Sequence, residues 1–179
     1  MTTNTNDTLI AKAQKIKLLI CDVDGVLSDG KVYFSNQGDE LKNFNIKDGL
    51  GIKLLQKSGI KVAIITGRES NIVTHRAKEL GITILYQGRS DKRATFQEII
   101  ESLELSSEEV AHIGDDLPDL PLMKKAGLGL AVNDAHDFVR HNADWVSSKN
   151  GGQGAVREAA DMLLDAQGKL DSLLKSYLQ

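Results

Sequence analysis

Asp22 and Asp24 stand one residue apart where the apolar run Leu18-Leu19-Ile20-Cys21 ends, and Gly25 follows where the chain can turn. A second apolar run, 110–113, empties onto Gly114-Asp115-Asp116, with Asp119 close behind. Carboxylates gathered at one point repel one another unless a hard cation such as Mg²⁺ lies among them. Two more segments bring polar groups to what would be the same edge: Thr66-Gly67-Arg68 after the run 61–65, and Lys92 at the opening of a helical pattern. Singly, each has an ordinary reading. Asp-x-Asp caps or turns, Thr-Gly-Arg and Gly-Asp-Asp make loops, and a lone lysine is solvated. Together at strand ends they suit a metal-assisted site.

Those residues need a scaffold that delivers strand ends to one edge. Apolar runs at 17–21, 61–65, 83–86, 110–113, 128–131 and 144–146 alternate with helical patterns near 47–57, 69–80, 92–103 and 118–125. Apolar runs bounded by glycine are strands buried on both faces, and the alternation predicts an α/β fold. The expected architecture is a three-layer, doubly wound parallel sheet, whose chemistry lies beyond the carboxyl ends of its strands. One insertion, about 31–44, predicts a β-hairpin turning at Asn36–Asp39. It is too small for a cap domain, so the catalytic edge is expected to lie open. Tyr33, Phe34 and Phe44 in it suit either a subunit contact or packing on the hairpin's own domain. Residues 150–179 form a tail in which Gly151-Gly152-Gln153-Gly154 reads either as a close approach or as a flexible linker. A helix follows at 155–166 and a shorter one after Gly168.

At 179 residues the chain is expected to be one domain, 1–179. Lys and Arg total 22 against 25 Asp and Glu, and the net charge of −3 gives no general attraction for nucleic acid or an anionic membrane. Cys21 is the one cysteine, so no internal disulfide forms and a cytoplasmic setting is expected. Within its strand it reads as a small buried apolar residue. The polar opening Met1-Thr2-Thr3-Asn4-Thr5-Asn6 shows neither a basic nor an apolar signal region, so export is not expected, and no stretch is apolar enough to span a bilayer. His75, His112, His136 and His141 share no ligand spacing and read as surface or partly buried structural residues. Trp145 reads as core.

The order DxDGV, Thr-Gly-Arg after a strand, a lysine opening a helix, and GDDxxD resembles the haloacid dehalogenase superfamily. Phe44-Asn45-Ile46-Lys47-Asp48-Gly49, Leu85-Tyr86-Gln87-Gly88, Gly151 to Glu158 and Ala166-Gln167-Gly168-Lys169 are similar to the 3-deoxy-D-manno-octulosonate 8-phosphate phosphatases within it. The resemblance implies a capless, Mg²⁺-dependent homotetramer that makes the sugar acid of lipopolysaccharide. It implies that Asp22 is the nucleophile and Asp24 the general acid–base, with the higher apparent pKa of the two. Asp22, the Asp24 backbone carbonyl and Asp115 would hold Mg²⁺, with Asp116 and Asp119 orienting metal waters and Lys92. Thr66 and the Gly67 N–H would bind phosphoryl oxygens, and Lys92 would neutralise them. Substrate-binding positions carried over are Asp24, Asn45, Ile46, Lys47, Asp48, Gly49, Lys53, Arg68, Arg76 and Lys92. Lys53, Arg68 and Arg76 are expected to form a basic rim for the substrate carboxylate, arginine gripping it with paired hydrogen bonds. Lys47 and Lys53 stand where many relatives carry arginine, which keeps charge without that geometry. A neighbouring subunit's tail can cover the site.

Three other functions remain open at this point. One is the same chemistry on a nine-carbon, sialic-acid type 9-phosphate. Another is a phospho-acceptor switch in which Asp22 stores phosphate, against which a water-activating Asp24 argues. The last is a non-enzymatic assembly module.

Overall fold

The computed structural model describes residues 5–178; residues 1–4 of the polar opening segment lie outside them. The elements run α1 (Thr5–Ala13), β1 (Leu18–Cys21), β2 (Tyr33–Phe34), β3 (Glu40–Leu41), α2 (Ile46–Lys57), β4 (Lys61–Ile65), α3 (Asn71–Glu79), β5 (Ile84–Tyr86) and α4 (Lys92–Ser102). They continue with β6 (Val110–Gly114), α5 (Leu120–Lys125), β7 (Leu128–Ala131), α6 (Asp137–Asn142), β8 (Trp145–Val146), α7 (Ala155–Ala166) and α8 (Leu170–Lys175). Six strands form one sheet in the order β5-β4-β1-β6-β7-β8, every pair parallel.

The register explains why β1 carries so many consecutive apolar residues. Leu19 and Cys21, with Val62, Ile64, Ala111 and Ile113, pack on one side against Ile52 and Leu55 of α2, Val73 of α3 and Leu163 of α7. Leu18 and Ile20, with Ala63, Ile65 and Val110, pack on the other side against Phe96 and Ile99 of α4 and Leu122 of α5. Both faces of the strand are therefore covered by helices, and alternation with polar residues would be costly. Each fully buried Leu or Ile contributes about 1.5–3 kcal/mol. The chain moves from β1 outward to β4 and β5, then crosses back to β6 on the other side. That crossing makes the carboxyl end of β1 the point where the winding reverses, which is where α/β sheets bind ligands.

The hairpin is present as a separate two-stranded sheet, Tyr33 opposite Leu41 and Phe34 opposite Glu40. It carries no helix and no further strand, so no cap domain stands over the sheet edge. Two helices escaped the sequence reading. α1 lies in the stretch before the first apolar run, and α6 is a six-residue helix started by the His136 ring, whose Nδ1 accepts from the Phe138 N–H at 3.1 Å. Trp145 is half-buried on the edge strand, where it packs against the core.

The glycine-rich segment is a close approach and not a slack linker. A Cβ at Gly151 would sit 1.7 Å from the Gly25 carbonyl oxygen, and the Gly152 N–H donates to the Val26 carbonyl at 2.9 Å. The segment thus lies against the turn that follows Asp24. Beyond it, α7 delivers Ala155, Val156, Ala159, Ala160, Leu163 and Leu164 to the same core as β1. Among the described residues no helix is long and apolar enough to cross a membrane.

Candidate active site

The turn after β1 is built to expose two carboxylates. The Asp22 N–H still donates to the Ile113 carbonyl at 3.2 Å, so its backbone belongs to the sheet. Val23–Leu27 then forms one wide turn, closed by the Ser28 N–H on the Val23 carbonyl at 3.0 Å. Gly25 has φ +88°, and a Cβ there would come within 2.1 Å of the Asp115 carboxylate. Only glycine lets the β1 and β6 loops approach this closely.

Lys92 is delivered by a helix start. The Asp91 carboxylate accepts from the Arg93 and Ala94 N–H groups at 3.0 and 3.2 Å, a cap that begins α4 at Lys92. Its ammonium lies 2.9 Å from Asp22 Oδ1 and 2.8 Å from Asp119 Oδ1. Asp119 is held in turn by Asp116, which caps the short helical turn Leu117–Asp119. Thr66 follows β4, its N–H donating to the Tyr86 carbonyl at 2.9 Å. Its hydroxyl oxygen accepts from the Arg68 N–H at 3.4 Å, which leaves the hydroxyl proton for an anion.

Asp22, Asp24, Thr66, Gly67, Arg68, Lys92, Asp115, Asp116 and Asp119 line one cleft of about 310 Å³, with Gly30 and Pro118. Carboxylate oxygens of Asp22, Asp115 and Asp119 lie within 4.8 Å of one another. They do not have equal freedom. Asp119 Oδ1 takes Lys92 and, at 3.2 Å, the His112 ring, while Oδ2 takes the Asp115 and Asp116 N–H groups at 3.1 and 3.4 Å. With both oxygens engaged, Asp119 serves to orient Lys92 and the acidic loop. Asp22 and Asp115 keep oxygens for a cation. A hard divalent ion such as Mg²⁺ fits this all-oxygen donor set.

Electrostatics support the fit. Burial, then the Asp119 charge, pushes the Asp22 carboxyl up to about 7. Burial and the charges of Asp119, Asp22 and Asp116 push Asp115 up to about 8. Asp119 is buried too, but the His112 hydrogen bond and the Lys92 charge hold it well below the usual carboxylate range. Burial opposes the Lys92 charge, yet Asp22 and Asp119 outweigh it and raise its pKa. One lysine cannot balance the two buried carboxylates of Asp22 and Asp119 and the half-buried one of Asp115. The expectation of a lower pKa at Asp22 than at Asp24 finds no support at Asp22 without a cation, where burial and the neighbouring Asp119 charge hold the proton on.

A pH dependence follows. The folded, metal-free protein keeps protons on Asp22 and Asp115 that the unfolded chain gives up near pH 4. The stability they contribute is present below that pH and is lost as the pH rises through about 7 and 8. Mg²⁺ removes the cause, so the rise in Tm on adding Mg²⁺ should be larger at pH 8.5 than at pH 6. An increment independent of pH, measured by thermal unfolding, would contradict this.

Several carried-over positions lie outside the cleft of a single chain. Asn45 caps α2, its Oδ1 accepting from the Lys47 N–H at 2.8 Å. The Asp48 carboxylate turns away to the start of α7, accepting from the Arg157 N–H at 2.8 Å. Ile46 is 81 % exposed, and Lys47 and Lys53 are exposed. Gly49 passes beneath the Arg76 guanidinium, where a Cβ would come within 2.6 Å of Nη2. Arg76 itself stacks over Phe44 and donates to the Asn45 carbonyl at 3.3 Å. The basic rim expected from Lys53, Arg68 and Arg76 thus reduces to Arg68 within one chain.

Sequence reasoning also missed participants. His112 is fully buried rather than at the surface or partly buried, and from the middle of β6 its ring meets Asp119, seven residues further on, where the acidic loop closes over it. Lys42 reaches Asp24 Oδ1 at 2.5 Å from the hairpin, a contact no local spacing signals. His75, His136 and His141 are exposed, and burial pushes the Cys21 thiol pKa up, consistent with an inert core residue.

A parallel sheet that presents an Asp-x-Asp pair at its switch point, bridged by a lysine to an acidic loop, defines a haloacid dehalogenase-like hydrolase. The sequence profile of that description matches residues 85–159. The 3-deoxy-D-manno-octulosonate 8-phosphate phosphatase KdsC of Escherichia coli K12 is 55% identical over 163 residues, 91% of this chain and 87% of that protein. The crystal structure of 3-deoxy-D-manno-octulosonate 8-phosphate phosphatase from Yersinia pestis aligns with TM-score 0.91 at 53% identity, covering 92% of this chain and 89% of its own. The Moraxella catarrhalis phosphatase of the same name, solved with a magnesium ion, a phosphate ion and a KDO molecule, aligns with TM-score 0.94 at 42% identity, over 97% and 99% of the two chains. This chain belongs to the 3-deoxy-D-manno-octulosonate 8-phosphate phosphatase family.

Proposed function

We propose that the chain is a Mg²⁺-dependent phosphatase converting 3-deoxy-D-manno-octulosonate 8-phosphate to 3-deoxy-D-manno-octulosonate and phosphate, a step of lipopolysaccharide biosynthesis. The observation that carries this is the Asp22–Lys92–Asp119 bridge beside Asp115, in a chain 55% identical to a phosphatase of that name. Asp22, the Asp24 carbonyl and Asp115 would hold the metal. Bound there, Mg²⁺ would cancel the repulsion between an anionic nucleophile and an anionic ester. The Asp22 carboxylate attacks phosphorus, and Asp24 passes a proton to the departing sugar oxygen. The Thr66 hydroxyl, the Gly67 N–H and Lys92 hold the phosphoryl oxygens as charge shifts onto them. Asp24 then takes a proton from the water that attacks the aspartyl-phosphate, the bond from phosphorus to the Asp22 oxygen breaks, and phosphate and the free Asp22 carboxylate result. Asp119 keeps Lys92 in place, and Asp116 would orient waters on the bound metal.

The cleft is small for a whole sugar-acid phosphate, which carries negative charge at both ends. At about 310 Å³ it lies at the lower limit of ligand pockets and suits the phosphoryl end. The sugar end extends past Arg68 toward solvent, where a second copy of the chain completes the site. The exposed Ile46, Lys47 and Lys53 face that assembled site, Asn45, Asp48, Gly49 and Arg76 hold the segment that carries them, and the copies form a homotetramer. Support comes from the exposed apolar residues around the hairpin, Val32, Tyr33, Phe34, Leu41, Ile46 and Leu50. Light scattering should give four chains; a fully active monomer would remove this part. Residues 1–179 act as one hydrolase domain, and the lone free cysteine suits a reducing cytoplasm.

The reading is tested by phosphate release from a panel of sugar and sugar-acid phosphates, with Mg²⁺ and with a chelator. The eight-carbon acid should be the best substrate, and chelation should abolish turnover. A marked preference for the nine-carbon 9-phosphate would reassign the substrate, and metal-independent turnover would overturn the chemistry.

A further inference from the structure

Lys42, the residue after β3, has no task in the chemistry above. Lysine is almost never fully covered unless paired, yet the Lys42 side chain is only 1% exposed. Its ammonium lies 2.5 Å from Asp24 Oδ1 and 3.0 Å from Glu40 Oε1. Glu40 in turn receives Arg68 Nη2 at 2.9 Å. The series Asp24, Lys42, Glu40, Arg68 ties together the turn after β1, the hairpin and the loop after β4. Withdrawing an ammonium from water is costly, so this is a built contact and not a passing surface pair.

A staple that merely anchors the hairpin could end on any carboxylate. This one ends on the carboxylate that exchanges a proton with the ester. Free to rotate, Asp24 offers either oxygen in any direction; with Oδ1 held, Oδ2 has one direction. We propose that Lys42 is a positioning residue for proton transfer, pinning Asp24 Oδ1 so that Oδ2 meets the oxygen that leaves phosphorus. This rests on the phosphatase reading. As an Asp22 oxygen forms its bond to phosphorus, the bond from phosphorus to the sugar oxygen breaks. The electron pair goes to that oxygen, and the proton on Asp24 Oδ2 passes to it. Aim matters most where the departing oxygen is strongly basic, as a sugar alkoxide is. It matters little for p-nitrophenolate, which leaves without a proton.

The test compares kcat/KM for 3-deoxy-D-manno-octulosonate 8-phosphate and p-nitrophenyl phosphate in the full chain, Lys42→Met and Lys42→Arg, with Mg²⁺ saturating. This parameter covers only the steps up to departure of the leaving group, so a shared later step cannot mask the difference. Lys42→Met should lose about 30-fold or more on the sugar ester, part of the ~10²-fold or more that an aimed general acid supplies. On the aryl ester it should lose less than about threefold, and Lys42→Arg should recover most of the sugar-ester activity. Lys42→Gln, which still offers an N–H to both carboxylates, should show the same ester-selective loss in smaller measure and serves if the Met variant does not fold. Equal losses on both esters, or none on the sugar ester, would overturn the proposal while leaving the phosphatase reading intact. A parent protein that cleaves neither ester would overturn both.

Discussion

Asp22→Asn is expected to lower kcat by about 10⁴-fold or more while the chain stays folded. The asparagine amide keeps the shape of the carboxylate but has no anionic oxygen to form the bond to phosphorus. Residual turnover would have to come from water attacking directly in a cleft still lined by Thr66, Lys92 and Asp115. The effect on stability runs the other way. In the metal-free protein the Asp22 carboxyl is pushed up to about 7, so its ionised form opposes folding above that pH. The asparagine variant removes this opposition. At pH 8.5 without Mg²⁺ its Tm should be at least that of the parent, and Mg²⁺ should raise it less. Loss of turnover accompanied by unfolding would point to a structural role, and near-parental turnover would remove Asp22 from the chemistry.

Lys92→Met should be the second largest loss, about 10²- to 10³-fold in kcat, the scale seen when one preorganised charge partner leaves a transition state. The methionine fills similar space, so the change is one of charge more than of volume. Here stability falls too. Asp22 and Asp119 lose the ammonium they share at 2.9 and 2.8 Å, and both carboxylates are almost fully buried. Removing one member of such a buried set costs about 3 kcal/mol, which lowers Tm by about 6–12 °C in a domain of this size. Steady-state kinetics and thermal unfolding measure the two effects on the same sample. A stable variant with slow turnover would confine Lys92 to charge neutralisation; an unstable one with normal turnover would confine it to folding.

The parts of the site that could be read from the chain are those tied to strand ends. Asp22, Thr66, Lys92 and Asp115 each follow an apolar run or open a capped helix, and parallel strands in a doubly wound sheet end on the same edge. Linear order thus becomes spatial convergence, and the six strands fall where the apolar runs do. Short helices without a long apolar period, α1 and α6, left no such trace. Nor did contacts between segments far apart in the chain. Lys42 meets Asp24 across a hairpin whose orientation depends on its packing, and His112 is a polar residue inside a buried strand whose partner appears only once the Asp116–Asp119 turn folds back. Gly151 shows a related limit. The glycine run announced freedom or closeness, and only the distance to the Gly25 carbonyl distinguishes the two.

The positions carried over from the resemblance divide in the same way. Arg68 follows a strand and lines the cleft, whereas Asn45, Asp48 and Arg76 spend their polar groups inside the chain on helix starts and on the hairpin's end. In the proposed assembled site their part would depend on a neighbouring copy, which no single-chain pattern can display.

Covalent capture by residue 22 is the step on which nucleophile, metal and lysine all depend. Mixing the protein with radiolabelled sugar-acid phosphate and Mg²⁺, quenching in acid within a turnover and mapping the labelled peptide should put the phosphate on Asp22. Label found on another residue, or no labelled protein at any time while phosphate is being released, would contradict it.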